Sequence, residues 1–196
     1  MQRRRFIART GAALASGGLA LTGCTTTPPS SGANAEANAG RRAIIDADVE
    51  ATLTRLYSTV NGSRELVDKA RGVLVFPSVL SAGFWVGGQY GQGALRIGGQ
   101  PSGYYSIAAA SFGLQIGAQS KAIIMLFMTQ EALDKFTHSQ GWAAGVDATV
   151  AVVRIGANGN VDTSTATGPV EAFVLTNAGL MAGVSLEGSK ISRLVI

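Results

Sequence analysis

The 196-residue chain is poor in the residues from which metal sites and disulfide scaffolds are built, with one cysteine, Cys24, and one histidine, His138. A single cysteine excludes a disulfide framework and any multi-cysteine zinc or iron–sulfur site. A single histidine argues against a histidine-built metal centre, and no cofactor motif stands in its place. Long apolar runs are also missing. Beyond the N-terminus the longest is 122–128, far short of the roughly 18–20 residues a membrane-spanning helix needs, so it reads as a buried strand. Only 14% of residues are charged, and the net charge of +4 is unevenly placed. Four of the 16 basic residues, Arg3, Arg4, Arg5 and Arg9, lie in the first nine positions, and without them 12 basic residues face 12 acidic ones. A basic field suited to phosphate backbones is therefore not visible, and no nucleic-acid partner is expected.

What is present begins with an address. Basic residues, an apolar stretch over 11–21 and then Leu21-Thr22-Gly23-Cys24 have the order of a secretory signal ending in a lipobox. Residues 1–23 are expected to be the signal peptide, and Cys24 the site of lipid attachment. Two or three acyl chains, palmitate among them, would hold the chain stably on a membrane where one would not. Arg3-Arg4, followed one residue later by Phe6-Ile7, fits twin-arginine export, and the general secretory route stays open beside it. With Thr25 rather than Asp after the cysteine, the expected location is the cell envelope, on the periplasmic face of the outer membrane. Residues 24–40, rich in Thr, Pro, Ser, Gly, Ala and Asn, read as a lipidated, disordered tether. The folded domain is expected over 41–196.

Within it, Ile45, Val49, Leu53, Leu56 and Val60 recur at helical spacing, with Asp46, Asp48 and Glu50 placed as first-turn acids. Asn61-Gly62 ends that helix, and Ser63 is expected to cap a short second one. Strand signals follow: 73–76 ended by Pro77, then 84–86, 94–97 and 104–110, separated by Gly pairs or Pro-Ser-Gly. Further strands are expected over 112–116, 122–128, 148–155, 170–175, 180–186 and 191–196. A helix capped by Thr129 should run from Gln130 to about His138, and Asn158-Gly159 reads as a hairpin turn. Of the 26 glycines, many fall inside strands, where they imply sharp bending or close backbone approach. The fold class is therefore α+β: a strongly curved or barrel-like antiparallel sheet with short flanking helices.

Catalytic signals are sparse. His138 with Asp134 and Ser139 would be a local triad only if adjacent helical residues faced one another, which they do not. Gly183-Val184-Ser185-Leu186-Glu187 has Glu where a nucleophile elbow needs Gly. Gly87-Gly88-Gln89-Tyr90-Gly91-Gln92-Gly93 lacks the phosphate-loop frame and reads as a tight β-turn. There remains a basic cluster of Arg64, Lys69 and Arg71, with Arg41 and Arg42 nearby and Glu65 and Asp68 interleaved. It is either a solvated helix face or a contact for lipid phosphates, with Phe84, Trp85, Tyr104 and Tyr105 as interfacial aromatics or as core.

The run Lys69-Ala70-Arg71-Gly72-Val73-Leu74-Val75-Phe76-Pro77-Ser78, then Ala82-Gly83-Phe84 and the glycine-rich run 87–93, resembles the SYLF family, also called the Ysc84 actin-binding domain family. Ser111-Phe112-Gly113-Leu114-Gln115-Ile116-Gly117 and the run 179–188 match it too, in the right order. The resemblance spans about residue 49 to the C-terminus, and the chain looks like the family's bacterial lipoprotein branch. It implies membrane-lipid binding and supplies no catalytic residues. Eukaryotic members use a basic amphipathic helix to bind phosphoinositides, whereas the helix here over about 44–60 has Arg55 beside three acids. Actin, bound by fungal relatives, is not expected as a partner in an envelope compartment. The expected function is that of a non-enzymatic, lipid-anchored envelope protein binding anionic membrane phospholipid through Arg64, Lys69 and Arg71. A scaffold contacting envelope proteins is the alternative, and a lipid or cell-wall hydrolase the last.

Overall fold

The computed structural model describes residues 31–153, 161, 168–181 and 185–196, with backbone only for 31–33, 83–86 and 111–118. The signal, Arg3, Arg4, Cys24 and Asn158-Gly159 lie outside them. Three helices, α1 (Ser31–Thr59), α2 (Ser63–Lys69) and α3 (Gln130–His138), accompany seven strands among the described residues. These are β1 (Gly72–Ile97), β2 (Gln100–Phe127), β3 (Trp142–Ala143), β4 (Val150–Val152), β5 (Val170–Thr176), β6 (Gly179–Leu180) and β7 (Lys190–Leu194). They form one strongly curled sheet, a half-barrel in an α+β arrangement. One correction concerns direction: β4 runs parallel to β5 while the other strand pairs are antiparallel, so the sheet is mixed.

β2 organises it. One edge pairs with β1 along nearly its whole length, from Gly72↔Phe127 to Ile97↔Gln100. The other edge takes β7 over Tyr104–Ala108 and β5 over Ala122–Phe127. The turn between β1 and β2 falls at Gly98-Gly99, whose φ of 58° and 81° suit the left-handed residues of a tight hairpin. The glycine-rich run 87–93, read as a turn, is instead strand. Pro77 does not end β1 either; it sits where the register shifts between Phe76 and Val79, a bulge that tolerates its missing N–H. β1 bends until it meets itself. A Cβ on Gly93 would lie 1.9 Å from the Val75 carbonyl oxygen, and one on Gly91 2.8 Å from that of Ser78. Close backbone approach is what these interior glycines are for.

Alternation along the strands divides the core between the two faces of the sheet. Leu74, Phe76, Leu95, Tyr105, Ile107, Ile123, Met125 and Phe127 pack on one face under Leu133 and Phe136 of α3. Phe136 is the hub there, with ring centroids 4.8 Å from Phe127, 4.9 Å from Tyr105 and 5.8 Å from Trp142. Val73, Val75, Ala94, Ile124, Leu126, Phe173 and Leu175 face the other way, under Ile45, Val49, Leu53, Leu56 and Val60 of α1 and Leu66 of α2. The run 122–127 is apolar without alternation because both its faces are covered.

The helices depart from expectation in two ways. α1 spans 29 residues and begins at Ser31, so 31–40, read as tether, forms an exposed helical extension. The alternating alanines 33–39 favour helix more than their loop-like neighbours suggest. Asp46, Asp48 and Glu50 are consequently mid-helix residues rather than first-turn acids. Ser63 does not cap α2, because Gly62 holds the N-cap position. The Ser63 hydroxyl is fully buried and turns back to the carbonyls of Val60 (2.6 Å) and Leu56 (3.3 Å), satisfying the end of α1. Thr129 caps α3 as expected, its side chain accepting from the Ala132 N–H at 3.2 Å. No helix among the described residues is long and apolar enough to cross a membrane.

Candidate functional site

α2 and the residues after it carry Arg64, Lys69 and Arg71, all three exposed. They share one region because α2 is short and leads through Ala70 directly into β1, where the Arg71 N–H donates to the Phe127 carbonyl at 2.8 Å. Their side chains are differently engaged. The Arg64 guanidinium lies 4.0 Å from the centroid of the Tyr57 ring, a cation–π contact that leaves its charge facing water. Lys69 Nζ donates to Glu65 Oε1 at 2.7 Å across one helical turn, and that bond together with its charge holds the Glu65 carboxyl below the usual range. The pair is exposed on both sides, so it contributes little to stability. Neither an ion pair nor a side-chain hydrogen bond engages Arg71 among the described residues. Two acids, Glu65 and Asp68, nearly offset the three cations.

A second polar group, which sequence reasoning missed, ties α1 to the β1–β2 hairpin. Arg96 Nη1 donates to Glu50 Oε2, Tyr104 Oη donates to Asp46 Oδ2 at 2.8 Å, and Arg41 Nε donates to Gln92 Oε1 at 3.3 Å. Burial, and then the Asp46 bond, push the Tyr104 phenol above its ordinary value. Asp46 Oδ1 and Arg96 Nε are buried without a hydrogen-bond partner among the described residues. A signal was available, since Arg96 is the one charged side chain between Arg71 and Lys121.

Glu171 was also missed. It is 1% exposed in β5 and accepts from the Gly168 N–H at 2.8 Å, and burial raises its carboxyl above the ordinary value. A lone acid between Val170 and Ala172-Phe173-Val174 was the sign of it. At the C-terminal end of α1, Arg55 and Thr59 face Leu175, Thr176, Asn177 and Gly179 across an open cleft of about 320 Å³.

The catalytic candidates do not assemble. His138 Nδ1 lies 2.7 Å from the backbone carbonyl of Asp134, whose carboxylate accepts instead from Gln130, and the Ser139 hydroxyl donates to the Phe136 carbonyl. The imidazole therefore has neither a carboxylate orienter nor a nucleophile within this set. Among the described residues no three His, Cys, Asp or Glu side chains gather as a metal site.

These features define an α+β domain with an exposed cationic helix and a polar tie between α1 and the β1–β2 hairpin. The chain is similar to the Ysc84 (SYLF) family: residues 108–194 match the family model described as "Las17-binding protein actin regulator". Its curated relatives include SH3 domain-containing YSC84-like protein 1 of Homo sapiens, 33% identical over 135 residues, which are 63% of this chain and 37% of that protein. The proteins of that name from Rattus norvegicus and Xenopus laevis are 30% identical over 130 residues, 63% of this chain and 38% of each relative. The chain thus spans under two fifths of the length of these relatives.

Proposed function

We propose that this chain is a non-enzymatic envelope lipoprotein, anchored through Cys24, whose Ysc84 domain binds anionic membrane phospholipid. The observation that carries the reading is the exposure of Arg64, Lys69 and Arg71 around one short helix, in a family whose resemblance implies lipid binding. Arg71 is the cation best placed to meet a phosphate, since Lys69 is shared with Glu65 and Arg64 with the Tyr57 ring. Weak, salt-sensitive attraction is what three cations offset by two acids supply.

The test is co-sedimentation of the full chain carrying Cys24→Ser, which removes the acylation site, with neutral and anionic vesicles at low and high salt. Stronger binding to anionic than to neutral vesicles, with the excess removed by high salt and by Arg71→Glu, is the expected result. Vesicle binding indifferent to lipid charge and to Arg71→Glu would sink the headgroup reading. A second reading, a scaffold for envelope proteins, draws support from the same near-cancellation of charge on α2, which suits a mixed-charge protein partner. Retention of the chain by envelope proteins without vesicle binding would favour it. Actin regulation, carried by the description of the family model, is checked by sedimentation with actin filaments, and the compartment proposed here predicts no physiological role for it.

A further inference from the structure

The middle of the β1–β2 hairpin is built unlike the rest of the sheet. Between the β7 pairing, which ends at Ala108, and the β5 pairing, which begins at Ala122, β2 is hydrogen-bonded only to β1 among the described residues. The result is a two-stranded ribbon, about residues 80–90 with 109–120, none of whose described side chains is buried in the two-faced core. Exposed strand edges in water are ordinarily defended by charged side chains, lysine above all. This ribbon has none along its length: between Arg71 and Lys121 the single charge is Arg96, which is bound to Glu50 near the hairpin turn. In place of charges the ribbon exposes Leu80, at 59%, and Tyr90, at 50%. The register sets Trp85 opposite Gly113 and Val86 opposite Phe112, so each strand of the ribbon carries an aromatic residue there. Its polar side chains, among them Gln89, Ser111, Gln115 and Gln119, are neutral.

We propose that this charge-free ribbon inserts into the interfacial layer of a phospholipid bilayer, a second and salt-insensitive membrane contact beside the cations of α2. The inference rests on the lipid-binding reading above and adds the apolar part of the contact. The absence of charge selects this occupant, because every charged side chain carried to that depth would have to be desolvated. Tyr and Trp favour the headgroup boundary. The edges of the ribbon, unpaired among the described residues, limit the depth, since their N–H and C=O groups need water or headgroup partners and cannot enter hydrocarbon.

Trp85 reports on the ribbon, and the other tryptophan, Trp142, is 1% exposed in the core. The full chain with Cys24→Ser is mixed at high salt with neutral phosphatidylcholine vesicles whose acyl chains carry bromine near the headgroup. Quenching is expected, and it should vanish in a Trp85→Phe variant that still sediments with the vesicles. Leu80→Asp with Tyr90→Asp should lower vesicle partitioning by roughly an order of magnitude or more, as expected when two apolar side chains no longer leave water. Both positions are exposed, so circular dichroism and the melting midpoint should be unchanged. Binding to anionic vesicles without quenching would overturn the ribbon contact and leave the headgroup reading standing. Quenching that survives Arg71→Glu and high salt supports the ribbon even if the cations prove idle. No association with any vesicle would overturn both. Concentration-dependent dimerisation abolished by Leu80→Asp, with no quenching, would assign the ribbon to a second copy of the chain and overturn the proposal.

Discussion

The two ends of one hairpin make the most instructive contrast in this molecule. Near its base, β1 and β2 pair over Gly72–Phe76 and Ile123–Phe127, where every described side chain is buried, with α1 and α2 on one face and α3 on the other. Farther out the same two strands stay paired through register shifts after Phe76 and Gly83, with a similarly uncharged sequence, yet Leu80 and Tyr90 are open to solvent. At the base the absence of charge follows from burial. In the ribbon burial among the described residues does not account for it, and the proposed membrane contact would. Composition alone therefore does not mark a core; coverage does.

The contrast is broken most severely by emptying the covered end. Phe136 joins Phe127, Tyr105 and Trp142 in one cluster, so Phe136→Ala should cost about 3–5 kcal/mol, read from urea unfolding. Leu80→Ala in the ribbon should stay within about 0.5 kcal/mol. A comparable loss at Leu80 would mean that the ribbon is packed in solution. The glycines give the next effect. Gly93→Ala drives a methyl into the Val75 carbonyl at the self-crossing, and overpacking of this kind costs about 1–3 kcal/mol or more. Gly98→Ala meets open space and only the strain of φ 58°, so about 1 kcal/mol is expected. Equal losses would show that β1 does not cross itself.

Much of this arrangement was legible in sequence, for reasons that can be stated. The run 122–128 gave the doubly covered strand, helical spacing from Ile45 to Val60 gave the buried stripe of α1, and Thr129 gave the start of α3. The abundance of strand glycines pointed to close approach, although not to which strand is approached. What stayed hidden was long-range. Nothing local distinguishes Gly87-Gly88, which lies in a strand, from Gly98-Gly99, which turns; the difference lies in the partners across the sheet. Pro77 ended the strand in the sequence reading because a bulge cannot be seen without its opposite strand. The acids of α1 looked like first-turn residues because composition placed the helix start too late. At the candidate site the identity of the cations was readable, and so was their mixture with Glu65 and Asp68. The Tyr57–Arg64 contact was not, since it joins two helices through a turn.

A gentler perturbation loosens the cover without touching the core. Thr129→Ala removes the acceptor for the Ala132 N–H at the start of α3, which should cost about 1 kcal/mol. Because α3 covers one face of the base, amides of Ile123–Phe127 should exchange faster with solvent deuterium. Those of 109–110 and 119–120 in the ribbon should not change. Uniform acceleration of both would indicate that base and ribbon open as one cooperative unit.

The smallest expected effect comes from Glu171, the one buried acid among the described residues. Glu171 pairs in register with Leu126 and is held by the Gly168 N–H. Its carboxyl is raised by burial, against which the Gly168 bond acts in the other direction. The native state therefore holds a proton that the unfolded chain has already released. Between the ordinary carboxylate pKa and the raised native value, stability falls as pH rises. Below that window the carboxyl is neutral in both states and no penalty arises; above it the penalty is fully present. Glu171→Gln keeps an oxygen to accept from Gly168 and removes the ionisation. It should thus be neutral or slightly stabilising near pH 7, with the gain shrinking toward pH 4, measured as the difference in melting midpoint from the unmodified chain across that range. A constant difference would mean that Glu171 is not desolvated in the folded protein. The base of the hairpin would then be wetter than its burial indicates, and the distinction between its covered and uncovered ends weaker than drawn.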